Sequence, residues 1–221
     1  MESKSPDYPL VESVSFRWGV LENASYHQSR YERSLFELSK NRGVTTRPVS
    51  LPVVLLDAYN RWEEETQPDF TQALRPGQVK GRILYGLTLG PTDFALYQPP
   101  VYECAKIVKA PGLTYPLKWS NRSPLEELAR TQEPGVYPLF EVDGLITDGL
   151  AANIVLKRKN QWVTPRHPLL PGTQREKLLG QGILELGDLR AHHIYDAGEV
   201  YLINALNRLG EFNLTAVSGF A

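Results

Sequence analysis

Four short stretches of this chain carry residue types that can do chemistry. An isolated lysine, Lys118, sits in Tyr115-Pro116-Leu117-Lys118-Trp119-Ser120-Asn121-Arg122 among apolar and aromatic neighbours. Desolvation there, with any neighbouring cation, lowers an amine's pKa and makes it a nucleophile able to form a Schiff base. A carboxylate, Asp148, lies in Thr147-Asp148-Gly149-Leu150-Ala151-Ala152-Asn153, at a turn entering a strand. Leu170-Pro171-Gly172-Thr173-Gln174-Arg175-Glu176 reads as a glycine turn feeding a helix. Thr173 is the expected N-cap, and Glu176 completes a capping box ahead of Leu178 and Leu179. The N–H groups of such a first turn, with the helix dipole, favour an anion such as phosphate. Asn204 ends the apolar run Val200-Tyr201-Leu202-Ile203. Taken singly, each has a plain structural reading: a surface charge with a buried stem, a turn former, an ordinary capped helix and a strand terminator.

These residues need elements to hold them. In the first half, alternation predicts a strand over 11–18, and Asn23 N-caps a helix running to about Lys40, where Asn41-Arg42-Gly43 stops it. Tyr26, Tyr31, Leu35 and Leu38 are its expected buried face. Ser50-Leu51-Pro52 opens a second helix through about Trp62, with Val54, Leu55 and Ala58 inward and the acidic run Glu63-Glu64-Glu65 ending it. Strands over 77–89, 94–98 and 102–108 make an antiparallel meander. Pro111-Gly112 is the expected linker, giving an α+β domain over residues 1–110 and a second domain over 111–221. In the second, Ser123-Pro124-Leu125-Glu126 is a capping box with proline at the first helical position. Strands over 136–140, 152–157, 162–164 and 200–203 surround the helix that Thr173 starts, and a cleft between the domains is the expected ligand site.

Composition removes several function classes. Lys plus Arg number 24 against 25 Asp plus Glu, a net charge of -1, so nothing electrostatic points to nucleic acid or an anionic membrane surface. No apolar run approaches a membrane span, and the first seven residues lack the apolar core of an export signal. A single cysteine, Cys104, excludes an internal disulfide and a cysteine metal cluster and fits a reducing cytosol. The alternation Val101, Glu103, Ala105, Ile107 around it reads as a strand rather than a nucleophile site.

In order and local wording these stretches resemble the class IV aminotransferases, the fold type IV pyridoxal-phosphate enzymes that include branched-chain and D-amino acid aminotransferases and 4-amino-4-deoxychorismate lyase. The resemblance spans about 11–212 and is strongest from Lys118 onward. It implies a two-domain α+β fold with a small N-terminal domain, a larger sheet-rich C-terminal domain and pyridoxal 5'-phosphate between them. On it, Lys118 holds the cofactor as a Schiff base and then moves the proton on the substrate's α-carbon. Asp148-Gly149-Leu150-Ala151-Ala152-Asn153 matches the family's Glu-x-x-x-x-Asn, whose carboxylate pairs with the pyridine nitrogen; the aspartate is one methylene shorter, and Leu150 stands where many members have threonine. Asn153 is counted with the cofactor residues on the same match. His27-Gln28-Ser29-Arg30-Tyr31 matches His-x-x-Arg-Leu, which makes Arg30 a phosphate ligand, so Arg30→Ala is expected to weaken cofactor affinity with the fold intact. Thr173 and Gln174 supply the helix N-terminus, and Asn204 with Ala205 completes the phosphate cup. Ser13 falls where the family has Phe-Glu-Thr near the substrate, and Arg122 is the other substrate candidate. The wording Lys-x-x-Asn-Arg at Lys118, Asn121 and Arg122 is most like the lyase branch, whose products are 4-aminobenzoate and pyruvate.

The stretch before the first matched strand is shorter than the family's and lacks its Asp-x-Gly-type turn. The expectation is a cytoplasmic enzyme, with no metal, acting on an amino-bearing carboxylate. A homodimer is implied by the resemblance alone. A related transaminase is the second chemistry, and the rival from another class is a catalytically impaired cofactor-binding homologue with a binding or assembly role.

Overall fold

The structure, a computed structural model, describes residues 8–72, 75, 77–197, 199–214 and 217–218. The stretch expected to lack an export signal therefore lies outside the described residues. Two compact units divide the chain: the residues up to Pro99 with Leu117–Asn121 form one, and Pro100–Pro116 with the residues from Arg122 form the other. The break expected at Pro111-Gly112 and this division fall at different places: the division comes already after Pro99, ahead of a strand that pairs within the second unit, and five residues around Lys118 return to the first.

In the first unit, β1 (Leu10–Arg17), β2 (Val20–Leu21), β3 (Gln78–Tyr85) and β4 (Leu89–Leu96) form an antiparallel sheet in the order β2-β1-β3-β4. Two helices, α1 (Ala24–Arg42) and α2 (Leu51–Thr66), cover one face. Even-numbered residues of β1, Leu10, Val14 and Phe16, meet Tyr31, Leu35 and Leu38 of α1 and Leu51, Leu55 and Tyr59 of α2, as period-2 alternation requires. Phe16 stacks on Tyr59 with ring centroids 4.1 Å apart, and Phe94 meets both edge-on. Gly43, at φ 64, ends α1 as its C-cap. Tyr26 is only half-buried; His27, Arg30 and Ser34 fill its expected place. The acidic run does not stop α2, which continues to Thr66. The strand expected over 77–89 breaks after Tyr85, where Gly86 N–H donates to Thr88 O and the chain turns back as β4.

The second unit is built on a nine-stranded sheet containing β5 (Cys104–Lys109), β6 (Val136–Val142), β7 (Leu145–Gly149), β8 (Asn153–Arg158), β9 (Gln161–Pro165), β10 (Leu184–Gly187), β11 (Val200–Ile203), β12 (Asn213–Leu214) and β13 (Val217–Ser218). Its main path runs β10-β9-β8-β7-β6-β5-β13, and β11 pairs with β8 and β12. β5 pairs in parallel with β6, so the expected meander loses its third strand to this unit. Asp143 and Gly144, at φ 50 and 78, make the tight β6–β7 hairpin that sequence reading passed over. Helices α3 (Ser123–Arg130), α4 (Thr173–Gly180) and α5 (Ala191–Ala197) complete the unit. Ile107, Tyr137, Leu139, Ile146, Ile154 and Leu202 are central to its core.

Candidate functional site

Lys118 is placed by backbone pairing. Val11 N–H donates to Lys118 O at 3.0 Å, Ser120 N–H donates to Pro9 O at 2.8 Å, and Leu10 bridges Trp119 in antiparallel fashion. Leu117 and Trp119 pack on the apolar cluster under α1 and α2. By alternation Lys118 lies on the opposite face, with Val11 and Ser13. The expected Schiff-base lysine and the expected substrate residue Ser13 thus share one face of the first sheet, both half-buried.

On the helix-covered face, β1 places a carboxylate where alternation calls for an apolar residue. Glu12 is fully buried, and α1 supplies its partners from positions three apart on one helix face. Arg30 Nε and Nη2 donate to Glu12 Oε1 and Oε2 at 2.7 and 2.6 Å, and His27 Nδ1 lies 2.7 Å from Oε2. Burial by itself raises the Glu12 pKa, but Arg30 and His27 outweigh it and hold the group at about 2. His27 titrates below its ordinary value because burial disfavours its charged form, against the pull of Glu12, and because Arg30 and Lys118 stand near. An ionised Glu12 only accepts, so a neutral His27 donates Nδ1–H to it. Arg30, expected at the cofactor phosphate, is therefore the counter-ion of Glu12. Neither Glu12 nor His27 was among the expected site residues. The available signal was a charge on the apolar parity of β1.

The remaining candidates belong to the second unit. Asp148 is 5% exposed near the end of β7. Its Oδ1 accepts from Asn153 Nδ2 at 2.7 Å and its Oδ2 from Leu170 N–H at 2.8 Å. Burial pushes its pKa up to about 7, against the lowering effect of those donors and of nearby Arg175. Asn153, opening β8, is paired with Asp148 in register. The expected capping box does not form: Gly172 is the N-cap of α4, at φ −74 and ψ 146, and Thr173 is the first helical residue. Glu176 instead accepts from Arg175 Nη1 at 2.9 Å. The same shift occurs at α3, whose N-cap is Arg122 with Ser123 first in the helix. Thr173 and Gln174 are both buried in the first turn of α4.

Asn204 is turned back on its own chain. Its Nδ2 donates to Ala151 O at 3.0 Å, while its Oδ1 accepts from Leu206 and Asn207 N–H at 2.8 and 2.9 Å. Its side-chain amide is thus engaged in closing a turn that includes Ala205. Arg122 Nη2 donates to Leu150 O. Asp148, Asn153, Arg122 and Asn204 consequently converge on the 150–152 connection, and Leu170 ties the start of α4 to the same place. Among the described residues no group of three or more His, Cys, Asp or Glu is placed to hold a metal ion, and no helix is long and apolar enough to cross a membrane.

Comparison with known proteins identifies what the chain is similar to. The family described as amino-transferase class IV matches residues 125–212. A crystal structure named as a "putative 4-amino-4-deoxychorismate lyase" from Haemophilus somnus is 30% identical, with a TM-score of 0.79 covering 92% of this chain and 99% of that one. An uncharacterised Haemophilus influenzae protein is 29% identical over 202 residues, 91% of this chain and all of its own length. A "putative aminodeoxychorismate lyase" from Schizosaccharomyces pombe is 26% identical over 154 residues, 67% of this chain and 63% of that protein.

Proposed function

The chain belongs to the class IV aminotransferase family, and on that premise we propose that it binds pyridoxal 5'-phosphate and acts as a 4-amino-4-deoxychorismate lyase. The single observation that carries cofactor binding is Asp148: a buried carboxylate with a pKa raised to about 7 and no ion pair among the described residues. A protonated ring nitrogen is the partner such a group lacks. The first-turn N–H groups of α4 suit a phosphate. When bound, the cofactor supplies an electron sink for negative charge developing on the substrate.

The chain's own residues do the rest. Lys118 Nζ would hold the cofactor, then take the proton from the substrate's amino-bearing carbon and pass it to the departing enolpyruvate, which leaves as pyruvate while the ring becomes aromatic. Asp148 would hold the ring nitrogen, whose positive charge would keep the carboxylate ionised. Arg30 has Nε and Nη2 on Glu12, so Nη1 is the nitrogen it offers to phosphate. Ser13 and Arg122 stand toward the substrate. A second copy of the chain completes the pocket, and the single, half-buried Cys104 suits work in a reducing cytosol.

Lyase chemistry is favoured over amino transfer by the Lys118-x-x-Asn121-Arg122 wording and by the likeness to the Haemophilus somnus protein over 99% of its length. Protein supplied with cofactor and 4-amino-4-deoxychorismate is expected to release pyruvate and 4-aminobenzoate in equal amounts with no oxo-acid added. Turnover only when an oxo-acid acceptor is present would identify a transaminase instead. Protein that takes up the cofactor but turns over under neither condition would point to the catalytically impaired homologue, and protein that stays colourless with added cofactor would sink the cofactor reading.

A further inference from the structure

Asn153 was expected among the cofactor ligands, but both of its side-chain N–H hydrogens are already engaged within the chain. A side-chain amide has two N–H hydrogens, and Asn153 Nδ2 donates to Asp148 Oδ1 at 2.7 Å and to Leu170 O at 2.9 Å. Leu170 in turn donates its N–H to Asp148 Oδ2 at 2.8 Å. Both backbone groups of Leu170 are therefore held by the Asp148–Asn153 pair. Asn153 is 5% exposed, so water cannot readily replace either bond. Gly172 lies against its remaining polar atom: a Cβ on Gly172 would stand 2.0 Å from Asn153 Oδ1.

We propose that Asn153 is a positioning residue, locking the Asp148 carboxylate to the turn that starts α4. The two ends of the cofactor site in this unit, carboxylate and helix N-terminus, are thereby held as one piece. The functional meaning of the lock rests on the pyridoxal-phosphate reading; the lock itself belongs to the chain alone.

Gly172 makes the lock testable. At φ −74 and ψ 146 its backbone is ordinary extended chain that alanine adopts without strain. The near neighbour that excludes a methyl group there is the Asn153 amide. Gly172→Ala must push Asn153 aside and break the bonds that Asn153→Ala removes outright. In an Asn153→Ala background the obstacle is gone.

The experiment is a double-mutant cycle on the full chain without cofactor. It reads Leu170 amide exchange and the titration of Asp148, whose charged neighbours include Arg175 of α4 and whose other ionisable neighbour is Tyr137 of β6. Each single variant is expected to speed Leu170 exchange on the order of five- to tenfold, the loss of about one hydrogen bond, and to move the Asp148 midpoint above about 7. Gly172→Ala added to Asn153→Ala is expected to change neither further. Asn153→Ser, which also clears Gly172, replaces the alanine if that variant does not fold. Equal effects of Gly172→Ala with and without Asn153, or unchanged exchange and titration in the Asn153 variant, would overturn the lock. The expected cycle in protein that never takes up pyridoxal 5'-phosphate would uphold the lock and sink the cofactor reading, so the two fail separately.

Discussion

The charge of Glu12 rests on residues distant in the chain: His27 and Arg30 lie 15 and 18 positions away, and the packing of α1 on β1 brings them over it. That packing changes one expectation. Arg30→Ala would strip a buried carboxylate of its counter-ion, so it should destabilise the first unit by roughly 3–5 kcal/mol instead of leaving the fold intact. Urea denaturation of the cofactor-free protein measures this, and a loss below about 1 kcal/mol would show that Glu12 is compensated elsewhere. Lys118 among aromatic neighbours and Asp148 before Asn153 were visible on inspection of the sequence; Glu12 was not, its partners being distant in the chain.

Among the elements, strands read from alternation and the glycine stop of α1 came through well, with β1, α1, β8 and β11 within two residues of expectation, whereas the acidic run did not end α2. The first turn of α3 and α4 failed as well. Ser123 and Thr173 have the side chains of good caps, yet both lie one residue inside their helices. At α4 the reason is geometric, since Gly172 must be where Asn153 leaves no room for a side chain. Two other glycines separate backbone cost from packing cost. Gly43 sits at φ 64 with no atom within 4 Å of where a methyl group would stand, so Gly43→Ala should cost only the left-handed backbone penalty, about 1 kcal/mol. Gly149 faces the Tyr137 ring, 2.3 Å from where a Cβ would stand, and the Tyr137 hydroxyl accepts from Ala151 N–H at 2.9 Å. Gly149→Ala should therefore cost about 1–3 kcal/mol by overpacking and loosen the 149–152 turn. Thermal denaturation of the two variants should rank them in that order, and equal losses would contradict the packing explanation.

Across the molecule as a whole, the α+β architecture and the sheet-rich second unit were legible from the alternating patterns and the family resemblance, whereas the return of residues 117–121 to the first unit was not. That return rests on backbone hydrogen bonds from Val11 and Ser120 and on the packing of Leu117 and Trp119 against a cluster whose members lie far off in the chain. The two units should also answer acid in opposite ways. In the first, His27 titrates below its unfolded value of 6.5, and Glu12 at about 2 against 4.5, so the unfolded chain binds protons first and stability falls as pH drops below about 6.5. In the second, Asp148 at about 7 against 3.8 lets the folded chain bind a proton first, so stability rises as pH falls from about 7 toward 4. Amide exchange in cofactor-free protein at pH 7 and 5, corrected for intrinsic rates, should show protection falling in β1 and α1 and rising in β7 and β8. Falling protection in both would mean that Asp148 is ionised in the fold. The proposed function stands or falls with Lys118 as the residue that carries pyridoxal 5'-phosphate. Borohydride reduction of the loaded protein followed by peptide mass mapping should put the added mass on Lys118 and lose it in Lys118→Ala, whereas no added mass, or the mass on another lysine, would refute that assignment.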